Sequence, residues 1–178
     1  LHPLLRRAPC GYRTFGKPLC YAGDYEMVNQ ILGDPQQGNN TYFQVINAQF
    51  LQSAVAEAHR NRINTLVEYL QRAANLAARE GRQVNILNVG CGPAVEIQRF
   101  IATDPDPGCL SFTLVDFSEE TLAYTRACID NAASARGKTV DVKFLHESVH
   151  DLLKRAVRRD AGVDAELFDF VYCAGLFD

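Results

Sequence analysis

The sequence lacks a strong charge excess, a long apolar run and any closely spaced pair of cysteines. Its 178 residues carry a formal net charge of −3, so charge gives no reason to expect a nucleic acid as partner. No apolar stretch approaches the roughly 20 residues that cross a bilayer, and no segment resembles a signal peptide, so no membrane span is expected. No two of the six cysteines are closer than ten residues. This excludes C-x-x-C zinc and redox motifs and favours a reduced, cytoplasmic protein.

Glycine and proline are scarce as well, at 12 and 7 residues, which excludes collagen-like and low-complexity chains. What is present is apolar, because 47 % of the residues are hydrophobic and ten Phe and seven Tyr are among them. Such a composition excludes intrinsic disorder. It predicts a globular chain with a core large enough to fold without disulfides or a metal.

An irregular segment followed by a helical cap is predicted for residues 1–81. Most of the glycine and proline of this region lies within residues 1–40, which predicts loops and turns with one short helix at Asp24–Leu32. The stretch Thr41–Glu80 has neither residue, and its apolar side chains recur at helical spacing. The polar run His59–Arg62 interrupts that spacing, so the pattern allows either two helices that meet there or one long helix.

Residues 82–178 have a different pattern, in which short apolar runs alternate with amphipathic helical stretches. The predicted strands and helices, in chain order, are Val84–Val89, Ala94–Thr103, Leu110–Asp116, Glu119–Arg136, Val140–Leu145, Val149–Arg159 and Phe168–Ala174. Strands that alternate with helices predict an α/β, Rossmann-like fold with a mostly parallel sheet. The apolar runs show little strict alternation, as expected where helices cover both faces of a sheet.

A Gly-x-Gly turn at Gly90–Gly92 joins the first strand of this region to a helix. Dinucleotide-binding turns require a small third residue in G-x-G-x-x-G, and Val95 stands there, whereas S-adenosylmethionine needs only the tight turn. The next strand ends at Asp116, where a carboxylate can accept hydrogen bonds from ribose hydroxyls, and Phe117 follows as a surface for an adenine. Asp116 could instead cap the next helix, but Ser118 is better suited to that role.

This combination resembles the class I S-adenosylmethionine-dependent methyltransferases, through the four segments Ile86–Glu96, Leu114–Phe117, Phe144–Leu152 and Phe168–Phe177. The resemblance implies an enzyme with S-adenosyl-L-methionine as cofactor and a small-molecule methyl acceptor. It also implies the cofactor-binding residues, namely Gly90, Cys91 and Gly92 beside the methionine part, Asp116 at the ribose, Phe117, Ser148 and Val149 at the adenine, and Cys173 and Ala174 near the sulfonium. Three positions depart from the family pattern, since Asn88 and Ser148 replace acids and Ala94 replaces a third glycine.

A narrower resemblance links Tyr12–Asp24 and Tyr172–Asp178 to a bacterial subgroup that makes methyl esters of 3-hydroxy fatty acids. It implies a carboxylate as acceptor and an amino-terminal segment that folds over the cofactor, with Tyr21 and Asp24 at its edge. The family fold has seven strands, and four are visible here. We therefore expect the chain to be a fragment that holds the amino-terminal half of the fold.

Three other functions stay open from the sequence. The stretch His146–His150 spells H-E-x-x-H, the pattern of zinc peptidases, but the preceding residues read as a strand, so the two histidines would not share a helical face. A third zinc ligand would have to be an acid such as Glu166 or Asp169, and no metal is predicted. The second function is that of a non-enzymatic Rossmann-like nucleotide-binding module, and the third is that of an NAD-dependent dehydrogenase. The catalytic residues and the oligomeric state are not predicted.

Overall fold

The computed structural model describes residues 2–18, 24–158 and 167–175. It divides into two compact units, Leu1–Thr65 and Leu66–Asp178. The first unit is helical, with the elements α1 (His2–Leu5), α2 (Pro9–Gly16), α3 (Tyr25–Leu32), α4 (Thr41–Leu51) and the first part of α5 (Ala54–Glu80).

Helix α2 contradicts the prediction that residues 1–40 hold only loops and one short helix. Pro9 is the first residue of this helix, a position where its missing N–H costs nothing. Gly11 packs closely against the chain before it, because a Cβ at this position would overlap the Leu5 carbonyl oxygen. In this segment proline begins a helix and glycine permits a close backbone approach, so neither acts as a helix breaker.

Buried polar side chains join the elements of the first unit. Asp24 is fully buried, accepts a hydrogen bond from the Met27 N–H at the start of α3, and receives the Arg13 Nε at 2.8 and 2.9 Å from its two oxygens. The Asn47 side chain of α4 accepts from the Cys10 N–H at 2.9 Å. These contacts satisfy polar groups that would otherwise be costly to bury.

Helices α4 and α5 meet at Ser53, so the break predicted as possible at His59–Arg62 is wrong in position. The polar run His59–Arg62 lies inside α5. The Arg60 Nη1 donates to the carbonyl oxygens of Ile31 and Leu51, at 2.9 and 3.0 Å, so a residue that reads as an interruption binds two carbonyl groups at the ends of other helices.

The second unit is built on a four-stranded parallel sheet, which confirms the predicted α/β, Rossmann-like fold. Its strand order is β3-β2-β1-β4. The elements are β1 (Val84–Val89), α6 (Val95–Thr103), β2 (Leu110–Asp116), α7 (Glu119–Arg136), β3 (Asp141–His146), α8 (Val149–Arg158) and β4 (Phe170–Tyr172), with a 3-10 turn at Pro107–Cys109 before β2. The bounds of β1, β2 and α7 agree with the prediction, whereas β4 is shorter than predicted at both ends.

The core of the second unit lies between the sheet and its helices. It contains apolar residues of β1, β2, α6 and α7, and also Leu70, Ala74 and Ala77 from the second half of α5. These three residues are spaced for one face of a helix. Because they pack in the core of the sheet, the compact unit begins before residue 82, where the sequence pattern changes.

The strand order reverses at β1. The chain runs from β1 to β2 and β3 on one side and then returns to β4 on the other side of β1. Ligands of open parallel sheets bind outside the carboxyl ends of the strands where the order reverses in this way. None of the helices in the described ranges combines the length and apolar character that crossing a membrane requires.

Candidate functional site

The turn after β1 is held in a left-handed backbone conformation. Gly90 and Gly92 have φ values of 68° and 52°, a region that glycine enters without steric cost. The N–H groups of Gly90 and Cys91 both donate to the Val115 carbonyl of β2, at 2.8 and 3.0 Å. Ala94, where the methyltransferases have a third glycine, also has a positive φ of 47°. The left-handed conformation of the turn therefore recurs at Ala94, although this residue is not a glycine.

The Asp116 carboxylate faces the glycine turn. Its Oδ2 accepts from the Gly92 N–H at 3.1 Å, and its Oδ1 accepts from the Ser118 N–H at 2.9 Å. Burial raises the pKa of Asp116, and these two hydrogen bonds act in the opposite direction. A carboxylate has about four acceptor positions, so two remain for a ligand's hydroxyls. Ser118 caps α7 by accepting from the Thr121 N–H, so Asp116 is not needed as the helix cap.

The space beside Gly92 is open in the described part of the chain. A Cβ at this position would meet no heavy atom within 4 Å. The peptide is fixed from the other sides, because the Gly92 carbonyl accepts from the Thr125 hydroxyl at 2.6 Å and its N–H is bound by Asp116. A fixed backbone next to open space is the arrangement that allows a ligand to contact the main chain closely.

Phe117 projects from a backbone that β3 holds in place. Its side chain is 51 % exposed, while its carbonyl oxygen lies 2.9 Å from the His146 Nε2. The Glu147 N–H donates to the Asp116 carbonyl at 3.0 Å and so continues the pairing of β2 with β3 beyond the strand ends. The exposed ring and the buried carboxylate thus belong to consecutive residues of one segment that hydrogen bonds hold in place.

The remaining predicted site residues follow β3 and β4 at the same edge of the sheet. Ser148 caps α8, since its hydroxyl accepts from the Asp151 N–H at 3.1 Å and contacts that residue's carboxylate at 2.6 Å. Val149 is the half-buried first residue of the helix. Cys173 and Ala174, both half-buried, come directly after β4. The sheet therefore brings all nine predicted residues to one edge, and one direct hydrogen bond joins the glycine turn to Asp116.

A buried polar cluster lies behind the glycine turn and was not predicted from the sequence. Tyr172 donates to the Glu96 Oε1 at 2.7 Å, and the Asn88 amide nitrogen lies 3.1 Å from both that oxygen and the Tyr172 hydroxyl. Burial raises the pKa of Glu96. Asn88 replaces the acid of the methyltransferase pattern, yet Glu96 supplies a carboxyl group next to it. The cluster links β1, α6 and β4 at the point where the strand order reverses.

The Cys91 thiol is unsuited to nucleophilic chemistry. The residue is 5 % exposed. Burial first, and then the negative charges of Asp116 and Glu96, raise the pKa of this thiol well above its ordinary value. Because the thiolate is the reactive form, Cys91 can border a ligand only as a small neutral side chain and through its backbone.

The chain matches no protein-family model and no curated protein. What the site does must therefore be inferred from its own geometry.

The H-E-x-x-H pattern is divided between two elements. His146 is the last residue of β3, whereas His150 lies in α8, so they do not share one helical face. Of the acids considered as third ligands, Glu166 lies outside the described residues, and Asp169 forms an ion pair with Arg82 at 2.8 Å. Within the residues that the structure describes, no group of three or more His, Cys, Asp or Glu side chains could hold a metal ion.

A separate cleft of about 640 Å³ opens at the amino ends of the strands. Its lining carries charges of both signs, including Arg82, Asp104, Asp106 and Lys138. The ends of α5, α6 and α7 border it, and helix carboxyl ends do not provide the free N–H groups that bind anions. The features of a nucleotide site meet at the opposite edge, so we place the candidate site there.

Sequence reasoning also did not identify Thr125 as part of the site. The signal was present, because Thr125 lies on the buried face of α7 with Leu122 and Ile129, and a polar residue on an apolar face usually has a hydrogen-bond partner. Two further predictions concern the amino-terminal segment. Tyr21 lies outside the described residues, and the Asp24 carboxylate is already engaged by the first unit's own hydrogen bonds.

Proposed function

We propose that this chain binds S-adenosyl-L-methionine and transfers its methyl group to a small-molecule acceptor. One observation supports this most strongly: the Gly92 N–H lies 3.1 Å from the carboxylate at the end of the neighbouring strand. A glycine turn and an acid meet here at the reversal of strand order, where Rossmann-like proteins bind the ribose of a nucleotide. The fold and the pairing of the two motifs are therefore compatible with the family that the sequence resembles.

The residues present fit this cofactor in three respects. The Asp116 carboxylate keeps acceptor positions for two ribose hydroxyls, since its two main-chain bonds use only half of its capacity. The open space beside Gly92 allows a close approach to the backbone of the turn. Phe117, the residue after Asp116, offers an exposed aromatic ring for an adenine.

A nicotinamide dinucleotide fits less well. Its pyrophosphate requires close packing of the first helix against the strand, which a small third residue permits. Val95 occupies that position and is the first residue of α6. The methyl donor has no pyrophosphate, so this side chain is no obstacle to it.

When bound, S-adenosylmethionine supplies a sulfonium methyl group that is already strongly electrophilic. What remains for the protein is to hold the two reactants in line and to exclude water. In this proposal Asp116 fixes the ribose, the Gly90–Gly92 backbone borders the methionine part, and Cys173 and Ala174 border the reacting end. A carboxylate acceptor attacks as the anion and needs no general base, whereas an amine or a hydroxyl needs one. Because the segments Tyr12–Asp24 and Tyr172–Asp178 resemble the subgroup that makes methyl esters, we propose a carboxylic acid, such as a 3-hydroxy fatty acid, as the acceptor.

The ribose contact is tested with Asp116→Asn. An amide has one acceptor oxygen, so the asparagine cannot accept hydrogen bonds from the Gly92 N–H and from both ribose hydroxyls. Calorimetry should show at least about a tenfold loss of affinity for S-adenosylhomocysteine, because hydrogen bonds to a charged group contribute roughly 1.5–3 kcal/mol. Asp130→Asn on the exposed side of α7 is the matched control and should bind as the wild type does. Equal affinity of both variants would contradict the ribose role.

The acceptor class needs its own experiment. Transfer of a radiolabelled methyl group is measured with 3-hydroxy fatty acids, amines and phenols as acceptors. We expect label in base-labile methyl esters of the acids. Label in amines or phenols alone would refute the carboxylate proposal and leave the methyl-transfer proposal standing, and binding of S-adenosylhomocysteine without any transfer would favour a non-enzymatic binding module.

A further inference from the structure

The proposed function assigns no role to the His146 side chain. It is the last residue of β3 and the register partner of Asp116. Its Nε2 lies 2.9 Å from the Phe117 carbonyl oxygen. A carbonyl oxygen only accepts hydrogen bonds, so the imidazole donates here. The first histidine of the H-E-x-x-H pattern therefore binds a peptide group.

That peptide is fixed on both sides of Phe117. Before it, the Asp116 carbonyl accepts from the Glu147 N–H at 3.0 Å, and after it the Ser118 N–H donates to the Asp116 carboxylate at 2.9 Å. The backbone of a strand-to-helix loop is usually mobile compared with the elements that it joins. Here three hydrogen bonds, two of them from residues 146–147, hold three successive residues.

The fixed backbone carries a large apolar side chain that is 51 % exposed. A partly exposed aromatic ring offers a face to a planar ligand, and a fixed backbone limits the directions that this ring can take. A base that stacks on an aromatic side chain is sensitive to the ring's direction. The direction of the Phe117 ring depends on its own peptide, which His146 binds.

We propose that His146 is a positioning residue that orients Phe117 for stacking on the purine of the ligand. The inference rests on the proposed function, because it assigns the group that the Phe117 ring contacts. The His146 imidazole then contributes to recognition of the base and takes no part in the transfer of the methyl group.

The test compares three variants by calorimetry with adenosine and with S-adenosylhomocysteine. His146→Ala removes the donor and should lower both affinities about fivefold, the effect of one ordinary hydrogen bond. His146→Gln places an amide donor near the Nε2 position and should restore affinity to within about twofold of the wild type. His150→Ala, on the exposed second histidine of the same pattern, is the matched control and should change neither affinity.

Coupling to the ring separates a positioning role from a general loss of stability. In a Phe117→Leu background, which removes the stacking surface, His146→Ala should have no further effect on the affinity for adenosine. If His146→Ala does not fold, His146→Asn repeats the comparison with a polar side chain that is too short to reach the carbonyl. Equal losses with and without Phe117, or a His146→Ala variant that binds adenosine normally, would overturn the inference. Absence of binding by the wild-type chain would overturn the proposed function together with it.

Discussion

Replacement of Gly92 by alanine separates the conformational role of this glycine from its role beside a ligand. Gly92 has a φ of 52°, and Gly137, at the end of α7, has a φ of 58°; a Cβ at either position would meet no atom within 4 Å. A left-handed conformation costs a residue other than glycine about 1–2 kcal/mol. Alanine recovers about 0.4–1 kcal/mol of this through the lower entropy of the unfolded chain. Both substitutions should therefore lower the free energy of unfolding by about 1 kcal/mol.

The two variants should differ in ligand binding. Urea unfolding measures the stability of each, and calorimetry with S-adenosylhomocysteine measures its affinity. Gly137→Ala should bind as the wild type does, because it lies at the other end of α7. Gly92→Ala places a methyl group in the open space beside the turn, where it would overlap a bound ligand, and such overpacking costs about 1–3 kcal/mol and should weaken binding about fivefold or more. Equal affinities of the two variants would refute the assignment of this space to a ligand.

Three further predictions concern the described residues around the site and in the first unit. Burial raises the pKa of Glu96 above its ordinary 4.5, so its contribution to stability is complete below pH 4.5 and is lost as the pH rises. Glu96→Gln keeps the acceptor for Tyr172. Urea unfolding should show that the free energy of unfolding of this variant rises relative to that of the wild type between pH 4 and pH 8. A difference that stays constant with pH would contradict the burial of an ionisable group. Asp24→Ala leaves Arg13, whose side chain is 19 % exposed, without its buried partner and should lower the free energy of unfolding by about 1.5–3 kcal/mol, whereas a loss below about 1 kcal/mol would mean that the pair is not formed. The ion pair with Arg82 lowers the pKa of Asp169 to about 2, so its contribution is present above pH 3.8 and is lost as the pH falls through 2. NMR titration of the Asp169 carboxyl should show this shift, and an Arg82→Ala variant that titrates in the same way would exclude the pair as its cause.

The parts of the fold that depend on local pattern could be predicted from the sequence. Strands β1 and β2 are apolar runs bounded by turn residues, and α7 begins at a serine cap and ends at Gly137 in a left-handed conformation. These signals lie within a few residues of the element that they define. The alternation of strands and helices then fixes a parallel sheet, because parallel strands need crossover connections.

The features that the sequence did not reveal depend on contacts between distant residues. Glu96 contacts Tyr172, which lies 76 positions away in the sequence. His146 contacts Phe117, which lies 29 positions away. No local pattern distinguishes such a glutamate from a solvated one on the exposed side of a helix. The helix over Pro9–Gly16 was missed for a related reason, because the Leu5 carbonyl that requires Gly11 is brought near only by the turn before the helix.

In our proposal the glycine turn and Asp116 form a site for S-adenosylmethionine. Calorimetric titration of the chain with S-adenosylhomocysteine and, in parallel, with NAD tests it most directly. We predict saturable heat at one site per chain with the first ligand and none with NAD at the same concentrations. Heat with NAD alone would favour a dehydrogenase, and absence of heat with S-adenosylhomocysteine would contradict the claim.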